Sequence, residues 1–140
     1  MSYLCLKHIP RWLATVLVTA AILYATLASN PVGADHLPLF PGIDKVVHFI
    51  MFAALTAALL FDLSRMKKAV RARQRFGVSG TAAVVFGAVD ELLQQFLTSD
   101  RSGDILDWAA DCGGTAAVLI IYSAWLRQHQ RGAHRPACRD

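Results

Sequence analysis

The chain has 140 residues, 55% of them apolar, and a formal net charge of +4. That length allows one domain, and the apolar share is too high for an ordinary soluble one. The basic excess sits in short runs beside apolar stretches, as loops at a membrane face do, which argues against a nucleic-acid partner.

The first apolar run, 12–28, carries no charge and is about as short as a helix can be and still cross a hydrocarbon core of roughly 30 Å. A signal peptide is the rival reading, with Lys7 and Arg11 as its basic region and Thr26-Leu27-Ala28 as a loose cleavage site. Segment 30–43 carries Pro31, Pro38 and Pro41 and reads as a loop. A second run covers 45–63 and is followed by a basic stretch, Arg65, Lys67, Lys68, Arg71, Arg73 and Arg75. The third run, 76–97, is uncharged until its last turns, which hold Asp90, Glu91, Gln94 and Gln95. A short polar loop leads to the fourth run, 106–126, and then to a polar tail with Arg127, Arg131, Arg135 and Arg139. Cys5, Cys112 and Cys138 are an odd number without metal-ligand spacing, so neither a disulfide framework nor a cysteine zinc site is indicated.

Lipid offers no partners for backbone amides, so each run must be helical. The N-terminus, the 65–75 loop and the tail are all basic, which places them in the cytoplasm by the positive-inside rule. The expected fold is an all-α integral membrane protein, an antiparallel bundle of four transmembrane helices with both termini cytoplasmic. Residues 1–11 form the cytoplasmic N-terminus, 12–126 the transmembrane domain, and 127–140 a flexible basic tail. The expected location is a bacterial inner membrane.

Eight of the ten acidic residues fall near the opposite, outer end of these runs: Asp35, Asp44, Asp90, Glu91, Asp100, Asp104, Asp107 and Asp111. Only Lys45 and Arg101 among the basic residues join them. Asp44 and His48 share a helix face, as do Asp90 with Gln94 and Glu91 with Gln95, and Asp104, Asp107, Asp111 and Thr115 form one stripe. A rise of about 1.5 Å per residue puts Asp90 about 10 Å, and His48 and Asp111 roughly 5–8 Å, below the membrane surface.

Bland roles cover part of this set. Asp44 and Lys45 read equally as interfacial charge, Asp104 and Asp107 as caps of the last helix, and Asp62 as a cytoplasmic-interface residue. Trp12, Trp108 and Trp125 fit aromatic belts. His48, Asp90, Glu91 and Asp111 lie within apolar spans, where ionisable groups are costly and mark function. Crowded carboxylates suit proton transfer, or a hard divalent cation such as Mg²⁺ or Ca²⁺ on Asp90, Glu91 and Asp111, with Lys45 and Arg101 gripping phosphate. No Ser-His-Asp order, H-E-x-x-H or glycine-rich phosphate loop is present.

The segments D-K-V-V-H-F at 44–49, D-E-L-L-Q-Q-F at 90–96 and R-S-G-D-I-L-D-W-A-A-D-C-G-G at 101–114 resemble the VanZ-like membrane proteins. Asp111 stands where that family often has Asn. The resemblance selects Asp44, Lys45, His48, Asp90, Glu91, Gln94, Arg101, Asp107, Asp111 and Gly114. It implies a small bacterial inner-membrane protein, in a family whose namesake is associated with resistance to teicoplanin-type glycopeptides.

The leading expectation is a site in the outer leaflet that binds or modifies an envelope amphiphile, a phospholipid or a lipid-linked glycan precursor. His48, Asp90, Glu91 and Asp111 would carry the chemistry, and Asp44, Lys45, Gln94, Arg101 and Asp107 would hold substrate. Membrane lipids are then the expected partners. The alternatives are a non-enzymatic accessory protein docking another membrane protein, and a small transporter or proton relay.

Overall fold

The computed structural model describes residues 10–28, 42–66, 71–98 and 103–133, with side chains to 130. They form four helices: α1 (Leu13–Leu27), α2 (Ile43–Ser64), α3 (Ala72–Leu97) and α4 (Ile105–Ala133). No strand occurs among the described residues. Helices α2, α3 and α4 are long and apolar enough to cross a membrane. The 15 residues of α1 span only about 22 Å at the standard rise.

Two helices outrun their apolar segments. In α3, the Gln74 side chain reaches back to accept from the Arg71 N–H at 3.1 Å. That bond satisfies one orphan donor of the first turn, so Arg73 and Arg75 are helical rather than part of a loop. Helix α4 runs on past 126 to Ala133 because Arg, Gln and His interrupt no helix. Residues 134–140 of the basic tail lie outside the described ones.

The bundle buries many polar side chains and exposes many apolar ones. Val16, Leu17, Tyr24, Val85, Leu92, Phe96, Ile105, Leu106, Ile120 and Ile121 are all exposed, while Thr26, His48, Thr56, Asp62, Ser79, Asp90, Gln94, Asp107, Asp111 and Thr115 are buried. A water-soluble protein would be destabilised by so large an apolar exterior. Lipid removes that cost and makes buried partners necessary for every polar group. The chain is a membrane protein.

Ile22, Phe52, Leu55, Leu59 and Ala83 form the apolar core, with Val18, Met51 and Phe86 against it. Helices α2 and α4 touch at backbone level: a Cβ on Gly114 would strike the Phe49 carbonyl and the Ala53 amide. Gly80 likewise leaves room for Leu119, whereas Gly77 faces open space. Small residues at such crossings are the usual route to close packing in lipid.

Side-chain bonds identify which helix ends meet. Thr15, at the start of α1, donates to Asp62 near the end of α2. At the other end of the bundle, Thr26 of α1 donates to Asp90 of α3, and His48 of α2 meets Asp111 of α4.

Candidate functional site

Gly42, at φ +84°, turns the chain into α2. That left-handed conformation suits a residue without Cβ, and it sets Asp44, Lys45 and His48 on the first two turns. The Lys45 ammonium donates to Asp44 at 3.1 Å, Asp104 at 3.1 Å and Asp107 at 3.0 Å. An ammonium has three hydrogens, so all of its donors are engaged by carboxylates. None is left for the phosphate that the sequence suggested Lys45 would grip.

Asp104 caps α4. Its Oδ1 accepts the Leu106 N–H at 2.9 Å, an N-cap bond to an otherwise orphan donor. That bond, followed by the Lys45 ammonium, holds its carboxyl below the usual carboxylate range. The capping role foreseen for Asp104 is therefore real, and it coexists with the ion pair.

Deeper in, His48 Nδ1 lies 3.0 Å from Asp111 Oδ1 and 3.8 Å from Glu91 Oε1. The Asp111 side chain is fully buried, and those of His48 and Glu91 are 6% and 11% exposed. The three residues offer ligand atoms within 4.8 Å of one another. Glu91 Oε2 accepts the Asp104 N–H at 2.7 Å. Glu91 Oε1 and Asp111 Oδ2 are buried and have no hydrogen-bond partner among the described residues. Gly87 makes the space for Asp111: a Cβ there would lie 2.9 Å from Oδ2 and 3.1 Å from the Phe52 ring.

Asp90 stands apart from that trio. Its Oδ1 accepts from the Thr26 hydroxyl at 3.0 Å and its Oδ2 from Gln94 at 3.4 Å. The Thr26 hydroxyl has the Ile22 carbonyl as an alternative acceptor at the same distance. The sequence grouped Asp90 with Glu91 and Asp111, but residues 90 and 91 point about 100° apart on a helix, so His48 takes its place. Arg101 lies outside the described residues.

A family model described as VanZ/LLP1 matches residues 4–127. The chain belongs to the VanZ/LLP1 family. No curated protein and no solved structure matches it.

Several contacts in this VanZ/LLP1 chain escaped the sequence reading. Gln95 Oε1 accepts the Gly103 N–H at 3.1 Å, so two neighbouring side chains of α3, Glu91 and Gln95, clamp the start of α4. Gly103 is required there, because a Cβ would fall 2.6 Å from the Glu91 carbonyl oxygen. Trp108, assigned above to an aromatic belt, donates its indole N–H to the Val84 carbonyl at 3.2 Å. Asp62, near the end of α2, is 2% exposed, and its Oδ2 accepts both the N–H (3.0 Å) and the hydroxyl (2.8 Å) of Thr15.

Beside the buried trio, α3 and α4 leave a groove of about 400 Å³ lined by Ala88, Glu91, Leu92, Gln95, Gly103, Asp104, Ile105 and Trp108. It opens on the outer surface of the bundle, where Leu92 and Ile105 are exposed. Glu91 belongs to both the groove wall and the trio, and so connects the lipid-facing surface to the buried carboxylates.

Proposed function

We propose that this VanZ/LLP1 protein binds, and acts on, the head of a cell-envelope amphiphile. The observation that carries the reading is the groove shared with Glu91: apolar walls for a chain, and carboxylates at its polar end. Ligand sites are commonly apolar clefts with a few convergent polar groups. Among the described residues, Asp44, Asp90, Glu91, Asp104, Asp107 and Asp111 outnumber the one cation beside them, Lys45, which disfavours a bare phosphate. A head bearing hydroxyls or an amine suits acceptors of this kind, as in a lipid-linked glycan precursor or an amine-headed phospholipid.

In this reading Asp107, Asp44 and Lys45 hold the rim in shape, and Gln94 steadies Asp90. Glu91 and Asp111 accept hydrogen bonds from the head, and His48, oriented by Asp111, moves a proton. The four helices form four antiparallel spans of a bacterial inner membrane. Both termini lie on the basic, cytoplasmic face and the site opens outward. The resistance linked with the family's namesake would then be one consequence of altering the envelope.

Native mass spectrometry of the detergent-purified chain tests the binding. Wild type should retain a lipid or lipid-linked species, and Glu91→Gln should retain clearly less while accumulating normally. Equal retention in both would remove the proposal. For the catalytic part, His48→Ala should abolish turnover of the retained species in proteoliposomes. A non-enzymatic accessory role is favoured by the Thr26–Asp90 bond, which ties α1 to α3, and by the Lys45 bonds to Asp104 and Asp107, which tie α2 to α4. It predicts partner co-purification and no retained lipid.

A further inference from the structure

We infer that His48, Glu91 and Asp111 form a binding site for one divalent transition-metal ion of mixed nitrogen and oxygen preference, such as Zn²⁺ or Mn²⁺. It uses the atoms described above but does not rest on the amphiphile reading, since an ion can bind where no lipid does.

The spacing comes first. Donor atoms bound to one such ion at about 2.0–2.2 Å sit roughly 3–4 Å from one another in tetrahedral or octahedral arrangements. The His48 Nδ1 separations, 3.0 Å to Asp111 and 3.8 Å to Glu91, fall in that range. Side chains from three different helices, α2, α3 and α4, converge to produce it.

The second argument is independent of spacing. Buried polar atoms are nearly always partnered, yet Glu91 Oε1, facing the imidazole, has no hydrogen-bond partner among the described residues. The same is true of Oδ2 on Asp111, whose side chain is fully buried. A cation would supply both with what the protein does not. Lys45 cannot, because three other carboxylates hold it.

Ligand chemistry then narrows the ion. Mg²⁺ and Ca²⁺ prefer six or more oxygens, whereas an imidazole beside two carboxylates suits first-row transition ions. Three protein ligands leave a position open, as in catalytic rather than structural sites. This set replaces the all-oxygen trio expected from sequence, because both Asp90 oxygens already accept hydrogen bonds. On binding, the ion takes the place of the hydrogen between His48 Nδ1 and Asp111, and the neutral imidazole carries its hydrogen on Nε2.

The test uses full-length, tag-free protein in detergent, stripped with chelator and titrated with Zn²⁺, Mn²⁺ or Mg²⁺. Elemental analysis after dialysis should find one Zn²⁺ or Mn²⁺ per chain, with the melting temperature rising on addition. Glu91→Gln and Asp111→Asn should each weaken binding by more than about tenfold, and Asp90→Asn should retain the ion. His48→Gln should weaken binding as well. Absence of a stoichiometric ion would overturn the assignment, as would undiminished binding in both Glu91→Gln and Asp111→Asn. Loss in Asp90→Asn with retention in His48→Gln would overturn it too, by moving the ion off this trio.

Discussion

Two buried carboxylates, Asp62 and Asp111, sit towards opposite ends of the bundle and are handled differently. Asp62 accepts an N–H and a hydroxyl from Thr15, neither of which titrates, and so fastens the start of α1 to the end of α2. Each carboxylate keeps one buried oxygen without a hydrogen-bond partner among the described residues, Oδ1 on Asp62 and Oδ2 on Asp111, but Asp111 faces an imidazole that can change charge and lies among other carboxylates. The first arrangement suits permanence. The second sets its acceptor capacity beside an imidazole and another carboxylate, where a proton, a head group or an ion can use it, and natural sites commonly trade stability for such capacity.

The largest contrast should come from Asp62→Ala. Losing two charge-assisted hydrogen bonds should cost about 2–4 kcal/mol, read as a fall in melting temperature in detergent, with ligand retention per folded molecule unchanged. Asp111→Asn keeps an acceptor for His48 and should lower stability less than Asp62→Ala does, while removing ligand retention. Comparable destabilisation by both variants would erase the distinction between the two ends.

Gly87→Ala sharpens it further. The added Cβ meets Asp111 Oδ2 at 2.9 Å, so the carboxylate must shift at a cost of about 1–2 kcal/mol, and ligand retention should fall with it. Thr26→Val removes one donor from Asp90 and should cost about 1 kcal/mol, measured by the same melting curve. The smallest expected effect is at the rim. Asp104 has a lowered pKa, so its cap contributes in full above the ordinary carboxylate range and is lost as pH falls through the folded value. Melting temperature should therefore fall below about pH 4 in wild type and less steeply in Asp104→Asn.

Much of the polar end could be read from the chain because its residues repeat at helical spacing. Asp44 with His48, Asp90 with Gln94, and Asp107 with Asp111 each announce one face, and depth marked out His48, Asp90, Glu91 and Asp111, of which Asp90 joins Thr26 and Gln94 instead of the trio. Partners in other helices leave no such local pattern. Asp62 resembled an interfacial charge because its neighbours in sequence are basic, whereas its real partner, Thr15, is 47 positions away. Thr26 likewise suggested a cleavage site, yet it bonds Asp90 across 64 positions. Charge pairing also depends on three-dimensional counting: Lys45 looked free for phosphate until the start of α4 placed Asp104 and Asp107 beside it. The motif fixes which residues gather, and packing decides which atoms remain available.

The outward orientation proposed for the polar end rests on charge distribution and has its own check. Thr98→Cys, in a background lacking the three native cysteines, should react with a membrane-impermeant thiol reagent in intact cells or spheroplasts. Labelling only after lysis would place the site on the cytoplasmic face.

The central claim is that the His48–Glu91–Asp111 cluster binds a ligand and the Asp62 lock does not. Native mass spectrometry of Asp111→Asn and Asp62→Asn, purified side by side with wild type, tests it most directly. The account predicts loss of the retained species in Asp111→Asn and its persistence on folded Asp62→Asn. Persistence on Asp111→Asn, or equal loss from both, would contradict it.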